Sequence, residues 1–118
     1  MNKKPIQFLG SSRKVIDKFP KEVQHLVFIE LESLQEGKNP SDWKTMSSVG
    51  LGVCEIRIHR PFGHRIIYVA KFSEAIYVLH AFAKKSQKTP RRHIQQAKQE
   101  YEKIKEIRKR SSLHDSFQ

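Results

Sequence analysis

The stretch HAFAKKSQKTPRRH, His80 to His93, carries Lys84, Lys85, Lys88, Arg91 and Arg92 behind an apolar run, and a proline divides it. So much positive charge is either an ordinary solvated turn or a place where phosphates sit. A helix opening at Pro90 would point its free N–H groups at the same spot, a field that favours an anion and opposes bare arginines. Upstream, VCEIRIH alternates, with Cys54, Ile56 and Ile58 facing one way and Glu55, Arg57 and His59 the other. Arg65 opens the next apolar run, and a turn around Pro61 to Gly63 would bring it towards Arg57. Two-residue alternation also puts His80, Phe82 and Lys84 on one strand face with Ala81 opposite. Guanidinium forks hold phosphate oxygens in pairs, histidine moves protons near neutral pH, and an exposed phenylalanine stacks on a base. Each residue also has a plainer reading. Arg57 can be a solvated partner of Glu55, Arg65 a polar strand end, His80 a satisfied core histidine and Phe82 a core ring.

Lysine and arginine outnumber aspartate and glutamate 23 to 12, giving a formal charge of +11 and a pI near 10.0. Self-repulsion at that charge works against compaction, so the excess points to a polyanionic partner, nucleic acid or an acidic protein. A single cysteine, Cys54, excludes an internal disulfide framework. The histidines, His25, His59, His64, His80, His93 and His114, lack metal-ligand spacing, so no metal or other cofactor is expected. There is no glycine-rich phosphate loop and no evident serine nucleophile. No apolar run approaches a membrane span, and MNKKPIQFLG lacks the apolar core of a signal peptide. The expectation is a soluble cytoplasmic protein with no membrane partner.

At 118 residues the chain has the length of one domain, with the last eight residues or so a frayed tail. Ile6–Leu9 reads as a short strand ended by Gly10, and Ser11 and Ser12 are caps for a helix bearing Val15, Ile16 and Phe19. Pro20 starts a second helix with Val23, Leu26, Val27, Leu31 and Leu34 on one face, stopped by Gly37. GKNPSDWKTMSSVGLG reads as a loop, with Trp43 a core anchor and Lys44 within reach of a cleft. VCEIRIH, RIIYVAKF and AIYVLHAF then form an antiparallel meander whose last two strands are apolar on both sides. A final helix runs from Pro90 to about Arg110 on Ile94, Ala97, Tyr101 and Ile104. The order predicts an α+β fold with its helices on one side of the sheet.

The blocks LESLQEGKNPSDWKTMSSVGLGVCEIRIH, RIIYVAKF and YVLHAFAKKSQKTP, taken together and in order, resemble the phage-related RelE/HigB-type toxins of bacterial type II toxin–antitoxin modules. The similarity covers roughly Pro20 to Lys105. It implies a RelE-like fold, with N-terminal helices and a C-terminal helix on a small curved antiparallel sheet that carries a basic cleft. It also implies a metal-independent, ribosome-dependent mRNA endonuclease inhibited by a cognate antitoxin, with mRNA and the ribosome as its other partners. In such chemistry the 2′-hydroxyl attacks the neighbouring phosphorus, a 5′-oxygen leaves and a cyclic phosphate forms, with cations stabilising the phosphorane. On that resemblance Arg57, Arg65, Lys84 and His80 are the catalytic candidates. Lys44, Phe82, Lys85, Lys88, Arg91 and Arg92 are the RNA-binding ones. Some members of the superfamily use a tyrosine near the last strand; the HAFAKK block has none, which shifts weight to lysine and histidine. The alternatives are a non-cleaving, gyrase-directed ParE-like toxin, an inactive homologue, or a basic RNA-binding protein.

Overall fold

A computed structural model of the chain describes residues 3–59, 63–84 and 88–116, with side chains through residue 111. Eight elements follow in order: β1 (Ile6–Phe8), α1 (Ser12–Asp17), α2 (Lys21–Gln35), β2 (Trp43–Thr45), β3 (Val53–Ile58), β4 (Gly63–Val69), β5 (Ile76–Lys84) and α3 (Arg91–Ser116). They form an α+β fold around one five-stranded sheet of order β1-β5-β4-β3-β2. The β3–β4–β5 meander is antiparallel as expected, and β2 extends it on one edge. On the other edge β1 pairs with β5 in parallel, which makes the sheet mixed. Sequence alone gave β1 no partner. A three-residue strand contributes too few side chains to announce its direction.

Two corrections concern what covers the sheet. The segment read as a loop contains β2, which pairs Trp43 with Ile56 and Lys44 with Glu55. Trp43 is not a core anchor; on this edge strand it stays 38% exposed. The helices also do not share a side. Helices α1 and α2 and the turn between them bury Ile16, Phe19, Val23, Val27, Leu31 and Leu34 against Ile56, Ile66, Ile76, Val78 and Ala81. Helix α3 buries Ala97, Tyr101 and Ile104 against Val53, Ile67, Val69, Leu79 and Phe82 on the opposite face. The reason is in β4 and β5, which are apolar at successive positions and leave oily surface on both faces unless both are covered.

Pro20 supplies the N-cap of α2 and Gly37, at φ 80°, follows its C-terminus, so both helix signals hold. Leu26 was assigned to the inner face of α2 but lies 39% exposed. Helix α3 continues to Ser116, beyond the expected end near Arg110. Beyond the α3 cluster, the same sheet face carries the polar side chains of Glu55, Arg57, Arg65 and Lys84.

A cationic clamp over a buried carboxylate

Register fixes which of these side chains meet. Arg57 is directly opposite Arg65, Arg65 opposite Phe82, and Gly63 opposite Lys84. Lys44 on β2 is opposite Glu55 on β3. The expected approach of Arg65 to Arg57 is therefore a cross-strand pairing on adjacent strands.

The centre of the arrangement is Glu55. Alternation put it on a solvent face beside Arg57, but it has no exposed surface. Its Oε1 lies 3.7 Å from Arg65 Nε, 3.9 Å from Arg57 Nε and 3.9 Å from Lys44 Nζ. On the other side Thr89, from the segment entering α3, donates its hydroxyl to Oε2 at 3.4 Å. Those cation distances give strong attraction in a desolvated place but are too long for hydrogen bonds. Glu55 Oε1 and Arg65 Nε are in fact buried without a hydrogen-bond partner among the described residues. Buried polar groups rarely stay unsatisfied. Here the carboxylate gathers the cations without using up their N–H donors, which leaves them for an incoming anion.

Lys84 completes the set. It is buried, and its amine is held below the ordinary lysine range by desolvation first and then by Arg65, with Lys44 and Arg57 adding to it and Glu55 opposing. A depressed ammonium releases its proton more readily than a free lysine does. Burial likewise lowers Arg65, with Glu55 opposing. Asp42 trims the outer rim: its carboxylate is 3.9 Å from Arg57 and 2.6 Å from His59, and its carbonyl accepts the Arg57 backbone N–H.

The histidine and the aromatic ring end up differently from expectation. A bulge in β5 skips Leu79 between the pairs Tyr68–Val78 and Ile67–His80, so Leu79 and His80 both turn towards α3. His80 is buried, and its Nε2 shares a 2.7 Å hydrogen bond with Nδ1 of His93. Desolvation, then His93, pushes its pKa down to about 4, so it stays neutral at pH 7. His93 is lowered as well, by burial and by Arg92. Its ring stacks on Phe82 at 3.9 Å and 7°. Of the two readings of Phe82, stacking ring or core ring, the structure gives the core ring, with a histidine over it because α3 closes on β5 there. Ile67 separates Glu55 from His80 along the register, so His80 backs His93 rather than the clamp.

Lys44 joins the clamp itself. Lys88 is exposed nearby, and Arg91 and Arg92 are exposed on the first turn of α3. Lys85 lies outside the described residues. Among the described residues no group of three or more histidine, cysteine or acidic side chains is placed to hold a metal, and no helix is long and apolar enough to cross a membrane. Sequence reasoning missed Glu55, Thr89 and His93 as members of the site. The one available signal for Glu55 was a carboxylate flanked by Cys54 and Ile56 within a strand.

Residues 14–102 match the family described as phage-derived protein Gp49-like (DUF891). The chain belongs to that Gp49-like family. Its members are relatives of the RelE-like toxins, and the match spans α2, all of β2 to β5 and the clamp. No curated protein matches this Gp49-like chain.

Proposed function

We propose that the chain is the toxin of a type II toxin–antitoxin module and acts as a metal-independent, ribosome-dependent mRNA endonuclease. The observation that carries this reading is the convergence of Lys44, Arg57, Arg65 and Lys84 over the buried Glu55, with N–H donors left over. A scissile phosphate placed on this clamp meets the partly exposed Arg57 and Lys44 first, with the buried Arg65 behind them. The guanidinium groups of Arg57 and Arg65 then stabilise the charge that grows on the phosphorane. The ribose 2′-oxygen bonds to phosphorus as its proton passes to a base. The bond to the 5′-oxygen breaks as that oxygen takes a proton, leaving a 2′,3′-cyclic phosphate. Lys84 is the group best suited to the proton transfers, being buried, depressed and beside Arg65. Glu55 has a positioning role from below. A cognate antitoxin would restrain the activity in the cell, and its acidic surface would find the same cations.

The deciding experiment is induced expression of wild type and an Arg57→Ala, Lys84→Ala double variant, with growth followed and transcript ends mapped by primer extension. Growth arrest with new cuts inside translated messages, both lost in the variant at equal protein level, is expected. Arrest without cuts would replace the nuclease by a gyrase-directed or other non-cleaving toxin. No arrest from folded, abundant wild type would leave an inactive or purely binding relative.

A further inference from the structure

Beside the clamp lies a groove of about 380 Å³, which shares two residues with it. Lys44 and Thr89 line the groove, and both also reach Glu55. Met46 and Ile94 supply apolar surface and Ser47 and Ser48 further hydroxyls. The volume falls at the lower end of the roughly 300–1,000 Å³ common for small-molecule sites.

The chain builds this groove deliberately. Directly after β2, the Met46 carbonyl accepts the N–H of Val49 at 3.0 Å, closing a turn that leaves Ser47 and Ser48 exposed at its tip. Met46 itself is buried among Val49, Val53, Tyr101 and Ile104, so the floor is fixed by the α3 core. Ile94 comes from the first turn of α3, which the His80–His93 bond ties to β5. A rigid apolar floor edged by hydroxyls that both donate and accept, with a cationic clamp at one end, matches one nucleotide particularly well. Its base face would lie on the thioether and the isoleucine, its edge would meet the hydroxyls, and its phosphate would stay with the cations.

We propose that this groove is a base-binding subsite for single-stranded RNA, taking a nucleotide next to the scissile phosphate and biasing where the message is cut. The inference rests on the RNA-cleaving reading above and goes further by naming the side chains that read sequence. Among the described residues, the hydrogen-bond and ion-pair partners of the clamp carboxylate are Lys44, Arg57, Arg65 and Thr89, so Met46, Ser47, Ser48 and Ile94 can be altered while the clamp is left in place.

The test uses the full chain with methyl-labelled methionine and isoleucine, titrated with short RNA strands carrying a 2′-deoxy sugar at one position to block cleavage. One strand is intact and a second is abasic at the neighbouring nucleotide. Shifts of the Met46 and Ile94 methyl signals that need the base, and that vanish in Ser48→Trp, are the expected result. In cells, Ser47→Ala with Ser48→Ala should reduce the preference among cut sites by about two- to tenfold per hydroxyl, the range of a net hydrogen bond. Equal shifts with the intact and abasic strands, or an unchanged cut spectrum in Ser48→Trp, would overturn the subsite. A wild type that cuts with base-independent shifts removes the subsite and keeps the nuclease. Base-dependent shifts in a wild type that cuts nothing do the reverse.

Discussion

Replacing Glu55 by glutamine keeps its shape and removes its charge, which isolates what the carboxylate does. Lys44 and Arg57 are partly exposed and can turn to water, whereas Arg65 is buried and cannot. The uncompensated Arg65 and its repulsion from Lys84 should cost about 2–4 kcal/mol of stability, near the range for breaking a buried pair. A urea midpoint lower in Glu55→Gln, and partly restored by inorganic phosphate, is the expected outcome; an unchanged midpoint would mean that the clamp assembles without it. His80 gives a pH prediction with a definite sign. Its folded pKa of about 4 lies below the ordinary value of 6.5, so the unfolded chain binds more protons between them. Stability is complete above pH 6.5 and declines as pH falls towards 4, by on the order of 2–3 kcal/mol. His93, lowered in the same direction, adds to the slope. Urea midpoints between pH 7 and 4 should show this decline, and His80→Gln should flatten it.

At the scale of elements, the site depends on α3 being seated against the sheet. Tyr101 seats it by donating its hydroxyl to the Leu51 carbonyl at 2.8 Å, with its ring over Gly50, where a methyl group would collide with the ring carbons. Gly50→Ala should therefore cost about 1–3 kcal/mol through overpacking, and Tyr101→Phe about 1 kcal/mol through the lost hydrogen bond. Thermal melts of both variants check the order. The meander and the α3 stripe were legible in the sequence because each repeats its own period, two in β3 and near 3.6 along Ala97, Tyr101 and Ile104. The cross-strand meeting of Arg57 and Arg65 was legible too, since a short hairpin leaves little choice of register. What escaped was set by long-range packing. Edge strand β2 has only Trp43–Thr45 to declare itself, and Glu55 meets Thr89 from 34 residues away. The bulge at Leu79 that turns His80 towards α3 has no local sequence mark at all.

For the whole molecule, 23 cationic against 12 acidic side chains exceed what internal ion pairs can absorb, and Lys88 lines the groove beside Lys44. Association with RNA should then be dominated by counterion release, with log K falling by about 0.7 per phosphate neutralised for each unit of log salt. Clamp and flank make separable contributions to that slope. Arg91 and Arg92 are exposed on the first turn of α3 and touch none of the Glu55 oxygens. Changing both to glutamine should flatten the slope by about 1.4 while leaving the positions of the cuts and the rate from saturated complex unchanged. Arg57→Ala takes away a comparable single charge at the clamp and should abolish cutting at every salt concentration. Fluorescence-anisotropy titrations of a labelled single strand from 50 to 300 mM salt, run beside cleavage assays on translating ribosomes, separate the two. If Arg91 and Arg92 altered the cuts as strongly as Arg57, the charge would act as a diffuse field, and the particular geometry over Glu55 would lose its claim to the chemistry.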